Sequence, residues 1–387
     1  MISKKTKPKL SILTISLGMG GTERFISLLL PKLIKDFEVT LVILYNYIHF
    51  EIPKEVNLII LKPNEKSAKS YFLKIKNFAN LYIKYSRITK SKNIDVSFSL
   101  LPIPNIINSF IAIRNKKIKT VISERCFSSL MYKNSRIQMF LAKILFPLFY
   151  NRNHILFSNS IYINEDLKQN FGVKIQSKVI FNPVGTDEDQ KVDVNKINGS
   201  NTLNIINAGT IYHAKNQKLI IDAMSLSNSG EFKLTLLGDG ELIDDIRRQS
   251  KKLNLFENLV LEGKVTDVKH YLLQNDCFVL SSNTEGFPNV LLEALSVGLP
   301  SISTNCFSGP LEMLNDNESV NIEEGDFFKA KYGLLVNVND AVGLNKAMLY
   351  FKNHPEERQR YSKLGFERAK TFSMTNIYEQ VKTLLNS

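Results

Sequence analysis

Histidine and cysteine are scarce in this chain of 387 residues, which has five of the first and three of the second. Cys126, Cys277 and Cys306 lie far apart and cannot pair evenly, and two of them sit inside apolar runs, so they read as buried free thiols. No Cys/His spacing suits a metal, and no metal site is expected. Low-complexity tracts are missing, as are repeats of solenoid period, and no recognised DNA- or RNA-binding motif occurs. The start, MISKKTKPKLSILTISLG, is basic and then apolar like a secretion signal. Its apolar part spans only about eight residues and runs into a Gly-rich turn without a small-residue cleavage site. It reads instead as the first buried strand of a cytoplasmic protein.

Charge is present but uneven. The net charge is +13, yet residues 1–185 hold 29 Lys and Arg against 10 Asp and Glu, while the remainder holds 21 against 27. A basic half beside an acidic half points to an anionic partner for the first, better an anionic bilayer surface or a lipid phosphate than nucleic acid. A Lys-rich solvated surface is the plain alternative.

The length suits two domains of roughly 150–200 residues each. Apolar runs of strand length alternate with stretches of helical period, which predicts βαβ units and mostly parallel sheets. Strands are expected at Lys9–Ser16, Glu38–Leu44, Leu58–Leu61, Val96–Ser99, Lys119–Ser123 and His154–Ser158, with helices at Gly21–Lys35, Lys69–Ser91 and Ile103–Asn115. Around Asn182-Pro183 the polar, acidic stretch VIFNPVGTDEDQKVDVNK reads as a linker, separating a domain of residues 1–185 from one of 196–373. In the second half, strands are expected at Asn204–Ala208, Lys233–Leu237, Asn258–Glu262, Cys277–Ser281 and Pro300–Thr304, with helices from Gln217, Gly240, Asp267, Asn289 and Ala341. The tail is helical and breaks near Phe372-Ser373.

The densest chemistry lies in SSNTEGFPNVLLEALSVGLPSISTNCFSGPLEML, from Ser281 to Leu314. Pro288 suits the first turn of a helix, which leaves Glu285 in the loop before it and Glu293 inside it. A helix N-terminus with unpaired N–H groups suits a phosphate, whereas carboxylates beside it would repel one and are better placed to accept bonds from hydroxyls. One phosphate site between two hydroxyl-reading carboxylates describes a pocket for a sugar nucleotide.

The Glu285-x7-Glu293 pair, with its apolar run and the Ser308-Gly309-Pro310 that follows, resembles family 4 of the retaining glycosyltransferases. The resemblance implies the GT-B fold, two doubly wound Rossmann-like α/β domains facing a cleft. It also implies that Glu285 reads donor-sugar hydroxyls, that Glu293 holds the ribose, and that Gly286, Phe287, Pro288, Asn289 and Val290 line the donor. The first domain would be the acceptor side and the second would bind the nucleotide sugar. The final helix, Met374–Leu385, would cross back onto the first domain.

Three further segments carry the likeness. Gly18-Met19-Gly20-Gly21-Thr22-Glu23-Arg24 joins a strand to a helix and resembles a GGxER loop, which puts Gly20 and Gly21 beside the donor diphosphate; it is not a dinucleotide fingerprint. Glu23 and Arg24 read equally well as capping and surface charges. Gly209-Thr210-Ile211-Tyr212-His213-Ala214-Lys215-Asn216 resembles a segment in which an Arg and a Lys clamp the diphosphate. Lys215 and Asn216 match, but Thr210 stands where the Arg is expected, which removes one fixed cation from the leaving group unless His213 or Arg125 supplies it. Gly238-Asp239-Gly240 resembles a turn near the base site; Asp239 reads first as a helix N-cap.

In the first domain, Ser123-Glu124-Arg125 resembles a segment of relatives that transfer N-acetylhexosamines to polyprenyl-diphosphate-linked glycans, which marks Glu124 and Arg125 as acceptor-side groups. Pro102-Ile103-Pro104-Asn105 reads as the loop that opens the helix before it. Transfer of a hexose or N-acetylhexosamine from a nucleotide donor, UDP-linked by expectation, with retention is implied. Glu285 and Lys215 would be the groups needed for turnover, with no metal or other cofactor. The acceptor would be a glycan or polyprenyl-diphosphate-linked glycan of cell-surface polysaccharide assembly, on the inner face of the membrane. Two rival readings remain: a sugar-nucleotide 2-epimerase of the same architecture, for which the five dispersed histidines offer no acid/base cluster, and a non-catalytic nucleotide-sugar binder, which Thr210 keeps open. Finally, RIQMFLAKILFPLFYNR, Arg136–Arg152, is too short and charged to span a bilayer. It suits either a membrane interface or a core helix.

Overall fold

The computed structural model describes residues 6–62, 71–185 and 201–387. The chain forms two compact units, one of Met1–Pro183 with Met374–Ser387 and one of Val184–Ser373. Most of the acidic stretch read as a linker, and the expected start of the second domain at residue 196, lie outside the described residues, as do the first two residues of the helix expected from Lys69.

The first unit is built on seven parallel strands: β1 (Lys9–Thr14), β2 (Glu38–Tyr45), β3 (Asn57–Lys62), β4 (Val96–Leu100), β5 (Lys119–Glu124), β6 (Ile155–Ser158) and β7 (Ser177–Val179). Their order is β3-β2-β1-β4-β5-β6-β7. The inner strands are buried on both faces, as near-continuous runs such as Val39–Leu44 require, because helices cover both sides of a parallel sheet. The order reverses between β1 and β4, where crevices outside the carboxyl ends of strands commonly take ligands. Helix Met374–Asn386 belongs to this unit: Ile377, Val381 and Leu384 join the core with Leu29 and Leu33, and Tyr378 Oη and Lys382 Nζ both bond to Asp36.

Under helix Pro102–Arg114 lies a polar layer that the sequence did not announce. Asn108 Nδ2 donates to the carbonyl of Ser97 (2.9 Å), Asn105 Nδ2 donates to that of Ser123 (2.8 Å), and Ser99 Oγ donates to Asn105 Oδ1 (2.8 Å). All are buried, so these bonds fix the helix on β4 and β5, since an unpaired buried amide would cost about 1–3 kcal/mol. Pro102-Ile103-Pro104-Asn105 is therefore not an opening loop but the first helical turn, where proline's missing N–H has no partner to lose.

The second unit repeats the plan with β8 (Leu203–Ala208), β9 (Phe232–Leu237), β10 (Leu259–Gly263), β11 (Cys277–Leu280), β12 (Ser301–Thr304), β13 (Phe327–Lys329) and β14 (Leu334–Val336). The order is β10-β9-β8-β11-β12-β14-β13, all parallel except the β13–β14 pair. These last two strands escape a reading by periodicity because each has only three residues. Cys277 and Cys306 are buried as expected, whereas Cys126 is partly exposed.

Helix Arg136–Tyr150 buries only Ala142, Phe146 and Tyr150, with Ser135 capping its start. The reading of this segment as a core helix fails: Ile137, Phe140, Leu141, Ile144 and Leu148 are exposed. Among the described residues no helix is long and apolar enough to cross a membrane.

Candidate active site

In the second unit, the loops after β8, β11 and β12 converge. Lys215 follows β8 and its Nζ lies 2.6 Å from Glu285 Oε1, with the Glu285 side chain 8% exposed. Ser282, just after β11, donates a second bond to the same oxygen (2.6 Å). Glu285 is thus held by one cation and one hydroxyl on Oε1, a geometry set before any ligand arrives. Asn216 adopts a left-handed φ of 48°, which asparagine tolerates, and its amide bonds to Asn283 Oδ1 (3.2 Å) and Asn339 Oδ1 (2.9 Å). Asn283 also donates to the carbonyl of His213 (3.1 Å), so the Lys215–Asn216 segment is tied to the Glu285 loop twice.

The spacing between the EGFP and SGP motifs has a physical cause. Thr284 bridges Phe307, and Ser308 Oγ donates to the Gly286 carbonyl (2.7 Å). Gly309 has φ +93°, and a Cβ there would lie 2.3 Å from Pro288 Cδ, so only glycine lets the two loops touch. Buried Glu312 accepts the Gly309 N–H (3.0 Å) and closes the turn. Helix Asn289–Ser296 starts at the expected residue, with Pro288 at its N-cap rather than inside its first turn. Glu285 stands in the loop before it and Glu293 inside it, with Val290 and Asn289 in the first turn. Phe287 is buried, and burial together with the charge of Glu285 pushes the nearby Cys306 thiol up to about 12.

Gly209 and Gly238 serve the backbone. A Cβ on Gly238 would lie 2.0 Å from the Gly209 carbonyl oxygen, while the Gly209 N–H bonds to Leu237 (2.9 Å). Asp239 is not a helix N-cap: the next helix starts at Ile243, and Asp239 Oδ1 accepts only the neighbouring Gly240 N–H (2.8 Å). Thr210 is exposed and offers its carbonyl to Gln217 Nε2 (3.3 Å). His213 is exposed as well.

In the first unit, the loop after β1 gives Gly20 as the N-cap of helix Gly21–Asp36, with both glycines exposed. At the end of β5, Glu124 is fully buried, accepting from Tyr150 Oη (2.8 Å) and the Arg125 N–H (3.2 Å). Burial raises its carboxyl to about 7 against an ordinary 4.5. Arg125 is 6% exposed; its guanidinium stacks 3.9 Å over the Phe25 ring and bonds to Asn182 Oδ1. Among the described residues Nε and Nη1 of Arg125 have no hydrogen-bond partner, and burial draws its pKa down to about 9, which leaves the cation charged at neutral pH. The sequence read Asn182 as linker and passed over Tyr150 and Phe25, because nothing local marks residues 57 and 100 positions from Arg125 as its partners.

Comparison with known proteins supports the likeness carried by these motifs. Residues 188–368 match the family described as glycosyl transferases group 1. The N-acetylgalactosamine-N,N'-diacetylbacillosaminyl-diphospho-undecaprenol 4-alpha-N-acetylgalactosaminyltransferase of Campylobacter jejuni is 29% identical over 370 residues, which cover 95% of this chain and 97% of that one. Residues 188–368 carry the group 1 glycosyltransferase pattern, and the chain along nearly its whole length is similar to a glycosyltransferase. A second transferase of Campylobacter jejuni, a GalNAc-alpha-(1->4)-GalNAc-alpha-(1->3)-diNAcBac-PP-undecaprenol alpha-1,4-N-acetyl-D-galactosaminyltransferase, is 24% identical over 96% of each chain. HepE of Anabaena, solved with UDP, superposes with a TM-score of 0.75 at 16% identity, covering 98% of this glycosyltransferase and 99% of HepE. The lipopolysaccharide outer core galactosyltransferase WaaB, in its apo form, gives 0.71 at 17% identity, covering 97% and 98%. At such identity the likeness is one of fold, and that fold is GT-B. This glycosyltransferase is accordingly an enzyme, and relatives named as transferases do not favour the isomerase or the non-catalytic reading.

Proposed function

We propose that the enzyme moves an N-acetylhexosamine or hexose from a UDP-linked donor to a polyprenyl-diphosphate-linked glycan, with retention at the anomeric carbon. The Lys215–Glu285 pair carries this reading, because it joins a cation suited to a diphosphate with a carboxylate suited to sugar hydroxyls in one fixed geometry. The second unit holds the donor, with Lys215, Asn216 and the loop from Gly286 to Val290 around it and Glu293 on the ribose. As the bond from the anomeric carbon to the diphosphate breaks, Lys215 and backbone N–H groups at helix starts take up the growing charge. These groups need no metal beside them. The acceptor hydroxyl forms the new bond and its proton passes to the departing diphosphate oxygen. Glu124 and Arg125 stand on the acceptor side, and the two unpartnered Arg125 donors suit an anionic group. A lipid-linked acceptor places the reaction at the inner face of an anionic membrane. The likeness over 95% of the chain to an enzyme whose name specifies a diphospho-undecaprenol substrate supports the acceptor class.

The test is incubation with labelled UDP-N-acetylgalactosamine, UDP-N-acetylglucosamine, UDP-galactose or UDP-glucose and a polyprenyl-diphosphate-linked glycan. Label moving into the lipid fraction supports the proposal. A donor isomerised without an acceptor, or bound without any turnover, overturns it.

A further inference from the structure

We infer that the exposed face of helix Arg136–Tyr150 is a docking surface for an anionic lipid bilayer, which the helix enters edge-on without crossing. The inference rests on a lipid-linked acceptor only for its purpose; its evidence is the helix itself. Ile137, Phe140, Leu141, Ile144 and Leu148 are 41–64% exposed, while Ala142, Phe146 and Tyr150 on the other side are buried. At 3.6 residues per turn the five exposed side chains fall within an arc of about 100°, a continuous apolar stripe rather than scattered residues. A stripe of this kind facing water is unusual for a protein that needs no partner there.

Charge identifies the partner. From residue 125 to residue 164 the chain carries no Asp or Glu but holds Arg125, Lys133, Arg136, Lys143 and Arg152. All but Arg125 are exposed. Arg136 and Lys143 lie along one border of the stripe, and Arg152 follows the helix end. An apolar stripe edged by cations sinks its side chains below the headgroups while the cations meet phosphates. A second copy of this chain would set the same cations against each other, so self-association is disfavoured. The helix has 15 residues, too few to span a bilayer, which needs about 20 apolar residues.

The experiment uses the full chain with vesicles of phosphatidylcholine alone or with about one third phosphatidylglycerol, at about 0.05 M and about 0.5 M salt. Binding should require the anionic lipid and weaken with salt. Phe140→Ser with Ile144→Ser should lower partitioning at least about tenfold without changing the melting temperature, because both side chains are exposed in the folded protein. Arg136→Glu with Lys143→Glu should remove the dependence on anionic lipid. Three outcomes overturn the inference: no binding to any vesicle, binding that survives both double variants, or a dimer in sedimentation that Phe140→Ser with Ile144→Ser dissolves. Transfer measured in detergent separates the two proposals. If transfer proceeds there while vesicle binding is missing, only the docking surface is lost. If vesicle binding behaves as described while no transfer occurs, the docking surface stands and the acceptor assignment is lost.

Discussion

The two units share the order of their first five strands but finish their strand ends in opposite ways. In the second unit, the charged and amide groups around the expected donor are satisfied among themselves, Glu285 by Lys215 and Ser282 and Asn216 by Asn283 and Asn339, while the buried Thr284 hydroxyl has no partner among the described residues. In the first unit, the corresponding edge of β5 holds a buried guanidinium with two donors unpartnered beside a carboxyl that burial holds near neutrality. A site that recognises one conserved kind of chemistry, a nucleoside diphosphate and a sugar, can be assembled in advance. A site left with buried unpaired donors keeps them for a ligand or stores their desolvation as strain, and experiment can separate these.

The largest expected effect falls on the satisfied site. Glu285→Gln keeps the shape but loses the ion pair and the carboxylate's acceptor strength, and Lys215→Ala removes the cation. Each should lower kcat/KM at least about tenfold, since buried polar pairings are worth roughly 1–3 kcal/mol. Circular dichroism should be unchanged, because both residues lie in loops held by other bonds. Full activity in both variants would remove the donor assignment.

Arg125 tests the other half of the comparison. Arg125→Lys retains charge but loses the flat stack on Phe25 and the fork of donors. The acceptor-dependent kcat/KM should drop about tenfold while UDP affinity holds, because the lost pairing is again on the order of 1–3 kcal/mol. A fall in UDP affinity with unchanged acceptor KM would instead remove Arg125 from the acceptor side.

Much of this was legible in the sequence, and the gaps have a common cause. Strand and helix positions followed from alternation of apolar runs, and the EGFP and SGP segments marked themselves by composition. What stayed hidden was contact over long separations and very short elements: Asn105 and Asn108 binding β4 and β5, Asn182 reaching Arg125, and the three-residue strands β13 and β14. The stripe on helix Arg136–Tyr150 was undecidable from sequence, since a helix apolar nearly all round fits a core or an interface equally. Asp239 misled because an Asp after a strand is a common N-cap, yet here the helix begins four residues later.

A smaller effect concerns pH. Glu124 has a folded pKa of about 7 against an ordinary 4.5, raised by burial. The folded state therefore holds the proton more tightly, and the stability this contributes is full below about 4.5 and lost as pH rises to about 7. Across that window the loss is on the order of 3 kcal/mol. The wild type should lose several degrees of melting temperature relative to Glu124→Gln between pH 4.5 and pH 7.5, with the two nearly parallel above that. If their difference is constant with pH, Glu124 is ionised throughout and Tyr150 with the backbone N–H groups compensates its burial.

The smallest effect is expected at Thr210. Its side chain is exposed, and only its backbone carbonyl is engaged, by Gln217. Thr210→Arg should therefore fold with an unchanged melting temperature. If the donor diphosphate lies along the Gly209–Asn216 segment, an added cation there meets it across solvent, where a charge-assisted contact adds about 1 kcal/mol or less. UDP affinity should then rise by a few fold or stay level. Screening gives the sign of the effect a second check, since any gain should shrink at high salt. A marked loss of UDP affinity at constant stability would show that another cation already occupies the position. The comparison would then shift, because the donor site would already hold a cation at the place that Thr210 leaves open.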